Sequence, residues 1–159
     1  LKQRAKIVSA IRALDADIVG LMELENDGFG AQSALQDLVN ALNDGQPAAK
    51  HYSFGLPGVD KIGSDAIRVG LIYRAGVVKP VANPEVKEIG DPSRNRPALA
   101  QSFYLSSQAI GQPLTVVVNH LKSKGSACAG DPDLNDGQGN CNQTRVTAVN
   151  DLKNWQEGY

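Results

Sequence analysis

An excess of positive charge is missing from this chain. Sixteen Lys and Arg stand against 17 Asp and Glu, for a formal net charge of −1. That balance leaves no general basic footprint, so a nucleic-acid ligand would have to be held by a local cluster or by a metal. Long apolar runs are missing too, and none approaches the roughly 20 residues of a membrane-spanning helix. Aromatic residues make up 5% of the chain, with no cluster that suggests a lipid-facing surface. Cysteine is limited to Cys128 and Cys141, which bracket a loop rich in Gly, Asp and Asn. A metal held by this pair would lack its two usual further ligands nearby. The pair is expected to form a disulfide that closes a surface loop in an oxidising compartment. Such a closure stabilises a fold by roughly 3 kcal/mol on the chain-entropy model. What is present, 42% apolar and 21% charged residues over 159 positions, is enough for one domain with a real core. The chain opens on Leu1 rather than Met. It is expected to be a processed product or an excised piece, so the lack of a visible leader says nothing about secretion.

The most informative stretch is Asp17-Ile18-Val19-Gly20-Leu21-Met22-Glu23-Leu24-Glu25-Asn26-Asp27. Ile18 to Met22 is a short apolar run that reads as a strand buried on both faces. It ends in an acidic cluster of Glu23, Glu25 and Asp27. A carboxylate at the end of a buried strand is held rigidly, and Mg²⁺ and Ca²⁺ prefer such hard oxygen ligands. Strand alternation puts Glu23 and Glu25 on one face and Met22 and Leu24 on the other. A strand that simply ends in solvent, where acids are ordinary, fits the same residues.

The rest of the chain reads as mixed α/β. Residues 2–14 form a helix by the spacing of Ile7, Ala10, Ile11 and Leu14, with most of Lys2, Arg4, Lys6 and Arg12 elsewhere. Ser33 is a candidate N-cap for a second helix marked by Leu35, Leu38, Val39 and Leu42. His51–Gly55 is a short strand, residues 56–64 a loop, and 66–73 a strand. Residues 77–89 are extended but interrupted by Pro80 and Pro84, which demotes them to a broken or edge strand. Residues 98–105 and 114–120 pair as an antiparallel hairpin. Residues 121–140 form a long glycine-rich loop, of a length that usually carries function. A last helix over 142–157 places Val146, Val149, Leu152 and Lys153 on one face.

Two further segments carry chemistry. In Val116-Val117-Val118-Asn119-His120-Leu121-Lys122-Ser123-Lys124, Asn119 and His120 end a buried strand. Histidine can exchange protons near neutral pH or donate to an oxyanion. Lys122 and Lys124 add charge suited to a phosphate, although a backbone-satisfied His beside two solvated lysines fits equally. In Arg94-Asn95-Arg96-Pro97, the proline fixes the strand entry and aims Arg96, whose fork can grip a phosphate; a solvated basic loop is the plainer reading. Asp65 and Arg68 flank the start of another strand, as an ordinary strand entry or as part of a site. Asp131, Asp133, Asn135 and Asp136 look like a calcium loop, but the glycine falls one place late and Asn142 stands where the closing acid belongs.

Five segments in order carry a resemblance: Asp17 to Asn26, Asp65 to Arg74, Arg96-Pro97, Asn119 to Ser123, and the helix start Cys141-Asn142-Gln143-Thr144-Arg145. Together they resemble the endonuclease/exonuclease/phosphatase superfamily of DNase I-like enzymes, nearest to bacterial extracellular nucleases. The resemblance implies an α/β sandwich of largely antiparallel sheets packed by helices. It implies that Glu23 binds a divalent metal (Mg²⁺, Mn²⁺ or Ca²⁺). His120 would contact the scissile phosphate, and Arg96, Lys122 and Asn119 would hold it. The activity implied is metal-dependent phosphodiester hydrolysis, by a secreted or periplasmic nuclease acting on DNA or RNA. The same fold also serves phospholipid phosphodiesterases, phosphatases and non-catalytic binding domains. The family's first Asn-bearing strand, its Gly-Asp-x-Asn strand and its Ser-Asp-His segment are not found. Residues 1–159 are therefore expected to be the central part of one catalytic domain, inactive alone.

Overall fold

The computed structural model describes residues 2–107 and 111–158. Among them the order is α1 (Lys2–Leu14), β1 (Ile18–Glu25), α2 (Ala34–Asn43), β2 (Tyr52–Ser53), β3 (Ile67–Arg74), β4 (Val78–Pro80), β5 (Glu85–Lys87), β6 (Ala98–Leu105), β7 (Leu114–Val118) and α3 (Asn142–Gln156). The first sheet runs β1-β3-β2 and is antiparallel throughout. In the second, β7 pairs with one edge of β6 while β4 and β5 lie along the other. β4 meets Phe103–Leu105 and β5 meets Ala98–Ala100, so the two are halves of one strand. Pro80 and Pro84 interrupt it, because proline cannot donate to a ladder.

The sheets pack face to face. Alternation along β3 sends Val69, Leu71 and Tyr73 towards Leu99 and Phe103 of β6 and Val118 of β7. Ile72 points the other way, into a cluster with Val8 and Ile11 of α1 and Leu35, Leu38, Val39 and Leu42 of α2. On the far side, Ala148 and Leu152 of α3 cover Ala98 and Ile89. The architecture is thus helices, sheet, sheet, helix. No helix of the described residues is long and apolar enough to cross a membrane.

The structure departs from the sequence reading mainly in which faces are buried. β1 is not buried on both faces: it is an edge strand with β3 as its neighbour, and its apolar residues are half-buried or exposed. α1 presents Val8 and Ile11 rather than Ile7 and Leu14, which are exposed. Its polar residues explain the rotation. Arg4 donates to Asp37 at 2.7 Å, and Arg12 donates to the carbonyls of Ala41, Leu42 and Asp44 at the end of α2. Those carbonyls have no partner within their own helix, so a guanidinium there is favourable. The contact face is therefore partly charged. α3 buries Thr144, Ala148 and Leu152 and leaves Val146 and Val149 exposed. Small residues let it approach Gly90, where an added Cβ would lie 3.4 Å from the Ala148 backbone.

Candidate functional site

The C-terminal end of β1 lies beside the N-terminal end of β3, and that of β7 beside the N-terminal end of β6; the Glu23–His120 and Asp65–Arg96 contacts bring both pairs to one rim. The rim's acid is placed by a bulge. Leu21 pairs with Gly70 and Leu24 with Arg68, so β1 spends three steps where β3 spends two. Glu23 sits in the extra step at φ 59°, a left-handed conformation uncommon without glycine. The bulge puts Leu21 and Leu24 on the same helix-facing side and leaves Met22 60% exposed. Met22 and Leu24 therefore do not share a face, contrary to simple alternation. Bulges re-aim side chains, and this one brings Glu23 Oε1 to 3.8 Å from His120 Nε2. The distance exceeds a hydrogen bond but lies within reach of charge attraction when the ring is protonated. The Glu23 side chain is 69% exposed and that of His120 23%. His120 Nδ1 is buried without a hydrogen-bond partner. Asn119, half-buried, links His120 to the end of β7.

Asn26, just past β1, organises the next part. Its amide donates to the carbonyls of Ile62, Gly63 and Asp65 at 3.0, 3.3 and 2.9 Å, and its oxygen accepts from the Ile62 N–H at 3.2 Å. The loop before β3 is thereby clamped to the end of β1. The loop carries Asp65, whose Oδ2 lies 2.8 Å from Arg96 Nη2. Arg96 is thus aimed by an ion pair as well as by Pro97. Its Nε is buried without a partner. Arg68 belongs to the core instead: it is 0% exposed, donates to the Gly28 carbonyl at 2.9 Å and lies over the Phe29 ring.

Between these loops lies a cleft of about 470 Å³ whose lining includes Asp65, Glu88, Arg94, Arg96 and Lys122. Its second wall is rigid. Asp91 accepts from the Ser93 hydroxyl and N–H at 2.7 and 2.9 Å, which holds its carboxyl below the usual range, and its carbonyl accepts from Arg94 and Asn95. The walls meet at Gly63, at φ 68°, where a Cβ would come within 2.7 Å of Pro97. The parts that Glu88, Asn26 and Asp91 play here are not marked by any local pattern in the sequence.

The long loop after His120 is tied down. Cys128 and Cys141 form the expected disulfide, with Cα atoms 5.4 Å apart. Asp131 accepts from the N–H groups of Gln143 and Thr144 and from the Thr144 hydroxyl at 3.1, 2.7 and 2.8 Å. These bonds, the Thr144 N–H first, hold its carboxyl below its ordinary range. Asp131 therefore caps α3, while Asp133 and Asp136 accept from the N–H groups of Asn135 and Gln138 in local turns. Arg145 donates to the carbonyls of Asn140 and Gln138 at 2.6 and 2.7 Å, and Arg94 to that of Ala129 at 2.9 Å.

No group of three His, Cys, Asp or Glu close enough to hold a metal occurs among the described residues. Glu23 offers one exposed carboxylate beside a histidine. That donor set does not fit a closed cage, but it fits a Mg²⁺ or Mn²⁺ ion that keeps most of its shell as water and ligand oxygen. Compared with known proteins, the chain matches no family model, and no curated protein is significantly similar to it.

Proposed function

We propose that this rim is the centre of a metal-dependent phosphodiester hydrolase of the DNase I-like kind, acting on nucleic acid outside the cytoplasm. The observation that carries the reading is the bulge that sets Glu23 3.8 Å from His120. Strained backbone at a rim, beside a histidine with an orphaned nitrogen, is an arrangement a purely structural edge strand has no need of. Arg96 and Lys122, which line one cleft, supply local positive charge that the chain as a whole lacks. The disulfide supports an oxidising compartment.

Glu23 would hold the divalent ion, which when bound supplies neutralisation of charge on the phosphate oxygens. Arg96, with Nη2 on Asp65 and Nε buried, would offer its remaining N–H groups to a phosphate oxygen. His120 holds a proton at Nε2 and donates it in a hydrogen bond to the phosphate. Asn119 and Lys122 would add a hydrogen-bond donor and a positive charge to hold the phosphate. The described residues give this site one carboxylate near the histidine and no evident second one to orient a water. These 159 residues are therefore expected to hydrolyse slowly or not at all by themselves. The test is cleavage of labelled DNA and RNA with Mg²⁺ or Mn²⁺ by a polypeptide that extends this chain at both ends. Glu23→Gln is expected to remove most activity. His120→Ala should lower kcat by about 100-fold or more, with KM changed less. Robust cleavage insensitive to Glu23→Gln would overturn the proposal.

A further inference from the structure

We propose that the 470 Å³ cleft beside the rim is a subsite for one unpaired nucleotide, so that single-stranded nucleic acid is the preferred substrate. The inference rests on the phosphodiesterase reading above and names which strand form that site accepts. Position favours such a subsite. Arg96 belongs to both the rim and the cleft lining, so a phosphate gripped there has its neighbouring nucleoside directed between the two walls. Charge favours it too. The lining combines Arg94, Arg96 and Lys122 with Asp65 and Glu88. Asp65 is engaged with Arg96 and Arg94 with Asp91, whereas Lys122 and Glu88 have no ion-pair partner among the described residues. A free cation and a free carboxylate facing one cavity suit a ligand with an anionic part and an N–H-donating part. Inorganic phosphate has no use for the carboxylate, whereas a nucleotide offers it the N–H groups of its base.

Shape favours it as well. The walls are held before any ligand arrives, one by Asn26 and the other by Asp91. Gly90, which leads into the second wall, is tied to α3 through its N–H and Asp151 at 2.7 Å. A concave, preformed cleft of this size admits a base only when that base is out of the stack. In a duplex this costs a few kcal/mol of unstacking and unpairing. Single strands escape that cost. Glu88 then sets a preference among bases: cytosine offers its carboxylate an exocyclic amino group, and thymine only a single ring N–H flanked by two carbonyls that the carboxylate repels.

The test uses fluorescence anisotropy of labelled oligonucleotides with EDTA present, so that neither cleavage nor a metal contact intervenes. Short oligo(dC) is expected to bind about tenfold or more tighter than a duplex containing the same strand, and tighter than oligo(dT) of equal length. Lys122→Ala should weaken all single strands. Glu88→Ala should erase the difference between oligo(dC) and oligo(dT). Amide chemical-shift changes should fall on residues 63–65 and 93–96, and spectra of the free variants that match the native chain away from the substitution establish that they fold. Duplex binding as tight as single-strand binding, or shifts away from both walls, overturns the subsite. If Mn²⁺ still localises at Glu23 in that case, the phosphodiesterase reading survives it. If neither nucleic acid binds and Mn²⁺ ignores Glu23, both fall.

Discussion

Asn26→Ala tests how the rim is held together. The Asn26 side chain is buried and makes four hydrogen bonds to residues 62–65, through Ile62 O, Gly63 O, Asp65 O and Ile62 N. Truncation strands the Ile62 N–H and C=O in the interior, since Ile62 itself is buried. The Gly63 and Asp65 carbonyls lie nearer the surface, where water can replace the lost amide. Each buried group left unsatisfied costs about 1–3 kcal/mol, so the substitution should destabilise by roughly 3 kcal/mol in total. For a chain of this length that lowers Tm by roughly 10 °C. Urea titration followed by circular dichroism should show a lower midpoint at unchanged slope. The damage should also be local: Asp65 loses its support, and Arg96 loses its partner in register. Asn26→Asp keeps the acceptor for Ile62 N–H but turns three donations into carboxylate–carbonyl repulsion, so it should be at least as destabilising. A loss under about 0.5 kcal/mol for Asn26→Ala, a value typical of surface changes, would refute the clamp.

Two further outcomes follow from the long loop. Thiol titration of the unreduced, denatured protein should find no free cysteine, and reduction of Cys128–Cys141 should cost about 3 kcal/mol in urea titration while the helical signal persists; an unchanged midpoint would remove the staple from the account. Asp131 carries a carboxyl held below its ordinary range, so its contribution is fully present above the unfolded value of about 3.9 and is lost as pH falls through the lower folded value. Asp131→Asn should therefore flatten the acid limb of the stability curve around and below that unfolded value, and an acid limb identical to that of the native chain would count against the cap.

The elements were legible in the sequence where local chemistry alone decides them. Ser33 accepts from the Gln36 N–H as an N-cap should, and Leu35, Leu38, Val39 and Leu42 are all buried in α2. The hairpin of β6 and β7 and the proline-broken strand also follow from local pattern. Faces decided by long-range polar contacts were not legible. Arg4 and Arg12 look like solvent residues until Asp37 and the end of α2 are placed opposite them. The face of α3 runs through Thr144 and Ala148 because a close approach to Gly90 favours small side chains over Val146 and Val149. Glu23, Arg96 and His120 could be named from their places beside apolar runs. The bulge that turns Glu23 towards His120 could not, since no glycine marks it. Nor could Asn26, whose four bonds reach residues about 40 positions away.

The central claim is that Glu23 and His120 form a metal-assisted phosphate site. Paramagnetic broadening by Mn²⁺ in the amide spectrum, with inorganic phosphate present, tests it most directly. The account predicts broadening centred on residues 22–25 and 119–122, lost in Glu23→Gln. Broadening centred on the acidic loop at 131–137, or unchanged by Glu23→Gln, would contradict it.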